Sequence, residues 1–313
     1  MTKLFFATDV HGSDVCWRKL VSAGKFYKAN VVILGGDMTG KAIIPLVKQA
    51  NGSFKVILLD QETILKDEDE VTRMEKIIAN RGYYPMRLEP DQLDALSTRP
   101  ESIDVLFVKH AVETMQRWAE HADQRLKGMG IKCFVCPGND DMFAIDEVIK
   151  ASEHLTLAEG QVLEIDDHYV MISTGWTTPT PWHTFRECSE GELRAKIEAM
   201  ASQVQDMDRC ILNIHNPPYG SGLDEAPELD AELRPMYAGR SLVPVGSRAV
   251  KEMLEKHQPS LALCGHIHEG KGMARIGRTL CINPGSMYEQ GLLLGALVKV
   301  DKSGIKQYML TSG

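Results

Sequence analysis

The sequence predicts an α/β fold, and three observations lead there. Short apolar runs recur along the chain. Stretches with helical periodicity lie between them. The runs stop sharply at small or polar residues. Strands that alternate with helices build α/β architectures. Continuous apolar runs of this length suit strands buried on both faces.

The first runs are KLFFATD (3–9), NVVILGGD (30–37), IKCFVCPGN (131–139) and CILNIHNPP (210–218). SLALCGHIH (260–268) and TLCINPGS (279–286) continue the series, and HYVMISTGW (168–176) and LLLGALVKV (292–300) read as further strands. Cys133 and Cys136 form a lone C-x-x-C within a strand. Positions three apart on a strand face opposite sides, so both read as core cysteines. Ser189 and Glu192 form a capping box ahead of the stripe Leu193, Ile197, Met200 and Val204. Ser247 precedes Val250, Met253 and Leu254 in a helix that Pro259 stops.

Residues 41–104 break this rhythm. The acidic run DEDE (67–70) sits where a helix dipole favours negative charge, and Val71, Met74, Ile77 and Ile78 follow as a stripe ended by Gly82. A proline-containing stretch with a short helical patch comes next. We read 41–104 as an inserted cap within a single 1–313 domain. The stripe Val108, Val112, Met115, Ala122 and Leu126 then returns to the main fold as a long helix.

The 313 residues are 43% apolar, enough for a sizeable core. A net charge of −8 argues against a protein that coats nucleic acid, but is compatible with one that acts on a single phosphate group. The seven cysteines are an odd number. The first apolar run, about four residues, is shorter than a signal core, and no stretch approaches the ~18 apolar residues of a membrane span. The expectation is an intracellular, cytoplasmic protein with reduced thiols and no membrane association.

The strand ends hold the chemistry. In order they present Asp9-Val10-His11, Gly35-Gly36-Asp37, Gly138-Asn139, His215 and Gly265-His266-Ile267-His268. Carboxylate, amide oxygen and imidazole are ligands for borderline divalent metals, and ligands bind at the carboxyl ends of strands in open α/β sheets. Each piece alone is weak; a lone His215, for example, is commonly a hydrogen-bonded core histidine. Their order and shared placement make the set specific.

In this order the pieces resemble the calcineurin-like metallophosphoesterase superfamily, whose pattern is D-x-H, G-D, G-N-H-D/E, H and G-H-x-H. The Asn-Pro-Gly-Ser at 283–286 is also usual there. The resemblance covers the chain outside 41–104. It implies a four-layer αββα sandwich, two stacked mixed sheets flanked by helices. It also implies two divalent metals, with Mn, Fe, Zn, Ni and Co all compatible. Asp9, His11 and His268 would hold the first, and Asn139, His215 and His266 the second, with Asp37 bridging. Two cations about 3.5–4 Å apart would hold a bridging hydroxide for in-line attack on phosphorus. Asn139 and His215 would thereby join the catalytic set. Asp140 departs from the family pattern, which most often has His there to stabilise the transition state and protonate the leaving group; Asp141 matches the usual acidic neighbour.

The resemblance implies a small-molecule phosphoester substrate and a phosphodiesterase or broad phosphatase. Nucleotide or nucleotide-sugar pyrophosphate cleavage on the same site is the alternative, with the cap selecting the leaving group. A third reading is a non-catalytic scaffold with this fold. Trp176, Trp182, His183 and Tyr219 are candidates to border the cleft, and Arg240 and Arg248 to meet phosphate. Asp140 is expected to be ionised and to penalise substrate charge, which favours diesters. Its alternative role is to cap a helix that begins near Asp141.

Overall fold

A computed structural model describes residues 1–313, the side chain of Pro100 excepted. Two six-stranded sheets stack face to face. The first has the order β18 (Gly304–Ser312), β17 (Leu294–Asp301), β1 (Thr2–Ala7), β2 (Val31–Leu34), β7 (Lys132–Val135) and β8 (Leu155–Leu157). The second has the order β15 (Gly272–Ile276), β16 (Thr279–Asn283), β14 (Leu261–Leu263), β11 (Cys210–Ile214), β10 (Val170–Thr174) and β9 (Val162–Glu164). Both sheets are mixed. In the first, β1, β2, β7 and β8 are parallel and β17 and β18 antiparallel. In the second, β10, β11, β14 and β16 are parallel between antiparallel edges.

The apolar runs have a simple cause. Successive side chains of a strand point to opposite faces, and here both faces are covered. Leu4, Phe6, Val31, Ile33 and Phe134 meet Ile211, Leu261, Leu263 and Ile282 between the sheets. Their neighbours Phe5, Ala7, Val32, Leu34, Cys133 and Val135 face the other way, into the core that includes residues of α1 (Asp14–Tyr27), α4 (Pro100–Leu126) and α5 (Ala144–Ala151). Leu212 and Ala262 likewise face α6 (Glu190–Ala201) and α7 (Arg248–His257). The layers are thus αββα. Cys133 and Cys136 lie in different cores, as their spacing implies. The expected capping box forms: Ser189 accepts from the Glu192 amide, and Glu192 reaches back, a device worth about 1 kcal/mol.

The insertion differs from its sequence reading. Its helices, α2 (Glu68–Asn80) and α3 (Pro90–Ser97), fall where expected, but a third sheet accompanies them. Its order is β5 (Gln61–Leu65), β4 (Phe54–Leu58), β3 (Ile43–Lys48) and β6 (Tyr84–Leu88). Pro45 and Pro85 lie within β3 and β6, and proline ordinarily argues against a strand. Leu46, Val56 and Leu65 pack on Val71 and Ile78 of α2 in a small separate core. A short hairpin of β12 (Glu225–Pro227) and β13 (Leu242–Pro244) completes the sheets. No helix of the described residues is long and apolar enough to cross a membrane.

Candidate metal centre

The loops that follow β1, β2, β7, β11 and β14 converge at one end of the stacked sheets. The first two stay in register after their strands end. Asp9 N–H donates to Gly36 O at 2.9 Å, and His11 N–H to Asp37 O at 2.9 Å. The second sheet joins through His215, whose Nδ1 lies 3.0 Å from the Gly35 carbonyl. An N–H···O=C bond there fixes the tautomer and leaves Nε2 as the free nitrogen, the usual outer support of a metal-binding imidazole. Gly36 is required at this crossing, because a Cβ would sit 2.1 Å from His215 Nδ1 and its φ is +142°.

Three overlapping groups of donors result. Asp9, His11 and His268 form one; Asp37, His215 and His266 form another; His11 and Asp37 with Asp140 form a third. Within each group the ligand atoms lie within 4.8 Å of one another. His11 Nε2 is 3.0 Å from His268 Nε2, and His268 Nε2 is 3.5 Å from Asp9 Oδ1. Asp37 stands between the first two groups: its Oδ2 is 3.3 Å from His215 Nε2 and 3.6 Å from His11 Nε2. Its Oδ1 accepts from the Asp140 amide at 3.0 Å. The two oxygens of Asp9 accept from the His266 amide at 3.1 Å.

The residues fit bound cations. His215 Nε2 and Asn139 Oδ1 are buried with no hydrogen-bond partner. Buried polar atoms are almost always paired. The Asn139 amide is turned so that Nδ2 donates to Thr184 Oγ1 at 2.9 Å and to Asp140 Oδ1 at 3.0 Å. Asp9, His11, Asp37 and His266 all have φ between +37° and +66°. Non-glycine residues rarely adopt this region, and such strain clusters at functional sites.

Electrostatics tell the same story. Burial alone would raise the Asp9 carboxyl, but the imidazoles of His215 and His268 outweigh it and hold it below the carboxylate range. Burial disfavours a charged His215, yet Asp37 and Asp9 prevail and lift its pKa to about 9. Burial, aided by His215, pushes His266 down to about 4. Without a metal, the carboxylates therefore hold a proton in the place where a cation would be stabilised.

Asp140 corrects two expectations. It does not cap a helix, because α5 starts only at Ala144 with Phe143 at its cap. The aspartate that ties backbone here is Asp141, which accepts from the amides of Met38, Thr39 and Gly138. Nor is Asp140 an isolated charge. Its carboxylate pairs with Lys41, and its Oδ2 lies 3.8 Å from His11 Nδ1. Burial and Asp37 push it up to about 6, with Lys41 pulling the other way. A penalty on substrate charge would therefore act through the Lys41 pair and not through a lone carboxylate.

Other residues sort plainly. Trp182 and His183 are exposed, and Trp176 packs against Lys196 and Phe143. Arg248 stacks its guanidinium 4.0 Å from the Tyr219 ring centroid, and Arg240 is exposed. Among the described residues, neither arginine pairs with a member of the cluster. Sequence reasoning missed four contributors. Thr184 orients Asn139, and Ser286 Oγ donates to Asp9 O at 2.6 Å. Buried Arg186 donates to the Asp141 carbonyl at 2.9 Å and pairs with Asp146. Lys41 is the fourth. Thr184 and Arg186 lie in the loop singled out for its aromatics, and Lys41 directly follows Gly-Asp-Met-Thr-Gly.

No protein-family model matches the chain. It is 26% identical over 183 residues to MJ1162, an uncharacterised protein of Methanocaldococcus jannaschii, across 58% of this chain and 73% of that one. One solved structure superposes over 99% of this chain and 98% of its own, with a TM-score of 0.56 and 14% identity. That of TT1561 from Thermus thermophilus covers 100% and 98%, with a TM-score of 0.51 and 13% identity. In fold, the chain is an αββα sandwich of two stacked mixed sheets, and Asp9, His11, Asp37, His215, His266 and His268, with Asn139 bonded to Asp140 beside them, meet at one end of the sheets.

Proposed function

We propose that the chain is a dinuclear metal-dependent phosphoesterase, a phosphodiesterase or broad phosphatase acting on a small molecule. The observation that supports this most is the pair of donor groups with Asp37 between them, within 3.6 Å of His11 and 3.3 Å of His215, and with Asn139 Oδ1 buried and unpartnered nearby. Asp9, His11 and His268 would hold one cation, and Asn139, His215 and His266 the other. When bound, two such cations supply positive charge against phosphate oxygens and lower the pKa of a water for attack on phosphorus. The chain's own part is preorganisation. Gly35 O holds the His215 ring, Thr184 aims the Asn139 amide, and the amides of His266 and Asp140 hold the two carboxylates in place. Fixed dipoles of this kind need no rearrangement as charge develops.

The test is elemental analysis of purified protein, joined to a turnover screen with Mn²⁺ against diesters, monoesters, nucleotides and pyrophosphates. Two metals per chain and hydrolysis of an ester are expected. Hydrolysis confined to pyrophosphates would move the reading to a pyrophosphatase. Neither metal nor turnover would leave a scaffold.

A further inference from the structure

The mouth of this site carries a cation that the seven donors do not use. The side chains of Asp9, His11 and His215 are at most 1% exposed. Exposure rises to 19% at Asp140, 30% at His268 and 38% at Lys41, so this pair lies with His268 on the side from which solvent reaches the cluster. Lys41 is fixed at its base, where its backbone N–H donates to the Gly82 carbonyl at 3.1 Å. Its ammonium ends on Asp140, beside His11. Among the described residues, no other lysine or arginine pairs with Asp9, Asp37, Asp140 or Asp141.

A phosphate entering here passes the Asp140 carboxylate, with those of Asp9 and Asp37 buried behind it. A lysine already held by one of them can exchange that oxygen for a phosphate oxygen, giving up one charge-assisted hydrogen bond to make another. We propose that Lys41 binds a non-bridging phosphate oxygen of the substrate and that Asp140 competes for the same ammonium, so that the pair sets the preference between monoester dianions and diester monoanions. This rests on the phosphoesterase reading.

The experiment is calorimetric titration of the Mn²⁺-loaded protein with inorganic phosphate, with metal content measured for every variant. Lys41→Met should weaken phosphate binding about tenfold or more, the scale of a charge-assisted hydrogen bond, and leave metal content unchanged. Lys41→Arg should stay within about threefold of native, since it keeps the charge. Asp140→Asn should tighten binding, by a factor at least about threefold larger with Lys41 present than in the Lys41→Met background, as coupled partners require. The monoester-to-diester kcat/KM ratio should fall in Lys41→Met, through KM more than kcat. Equal phosphate affinity in native and Lys41→Met protein, or additive effects of the two substitutions, would overturn the inference and leave the phosphoesterase reading intact. A metal-loaded native protein that neither binds phosphate nor turns over any ester would overturn both.

Discussion

The sandwich and the inserted cap are built on different patterns of burial. The central strands of the sandwich are covered on both faces, so Leu4, Phe5, Phe6 and Ala7 are all buried. The cap sheet carries α2 on one face, and on the other Ile43 and Tyr84 of β3 and β6 reach the core that includes α4, while β4 and β5 stay open. Leu46, Val56 and Leu65 pack on α2, while Ile57 and Ile64 are about half exposed. The sandwich buries the charged groups Asp9, His11 and Asp37, whereas the cap's own core is apolar. Yet the two meet at the site. A Cβ on Gly82, in the cap's α2–β6 turn, would lie 2.1 Å from the His11 carbonyl, and Ser13 Oγ donates to Asn80 O at 2.6 Å. The cap supplies none of the seven donors but braces the loop that presents one of them. The cap, read from the sequence as a selector of the leaving group, thus also supports the site through its turn.

The sharpest way to break this contrast is at its centre. Asp37→Asn should abolish binding of both ions at ordinary concentrations. The expected loss exceeds the ~10–100-fold typical of an outer-shell partner. Elemental analysis after dialysis checks it, and retention of two metals would show that Asp37 is not shared.

Two cap glycines offer a matched pair. Gly52 and Gly82 both have φ of +86°, but nothing lies within 4 Å of a Cβ at Gly52. Gly52→Ala should cost about 1–2 kcal/mol, the left-handed penalty alone. Gly82→Ala should cost several kcal/mol, because backbone must also move, and it should lower metal content. Urea unfolding and elemental analysis of both variants decide it. Equal costs would mean that the cap merely rests on the site.

Metal affinity should depend on pH with a definite sign. In the metal-free protein His215 is protonated below about 9, and a cation must displace that proton. Affinity should rise by up to about tenfold per pH unit between neutral pH and 9, then flatten. Competition with a chelator across that range measures it. A flat profile would mean that His215 is not a ligand.

The smallest effect belongs to the cap's outer face. Ile57→Lys should change stability by no more than about 0.5 kcal/mol and leave metal content unaltered, as thermal unfolding and elemental analysis would show.

The donors were legible because a strand buried on both faces leaves no place for polarity until it ends. Asp9, His11, Asp37, Asn139, His215, His266 and His268 stand out against apolar runs for that reason. The cap sheet was not legible. Its strands contain prolines and exposed polar positions such as Gln61 and Glu62, so local pattern and final structure disagree.

The sequence by itself therefore determined the sandwich, the strand ends and the kinds of donor placed there, since burial and period are local properties of a chain. Only the tertiary structure decided which donors meet. His11 finds His268 across 257 positions and His215 finds Gly35 across 180. The left-handed backbone at Asp9, His11, Asp37 and His266 is likewise imposed by packing around it. Lys41 finds Asp140 across 99 positions. An ion pair has no period and leaves no local signature, because its energy depends on where two side chains end in space.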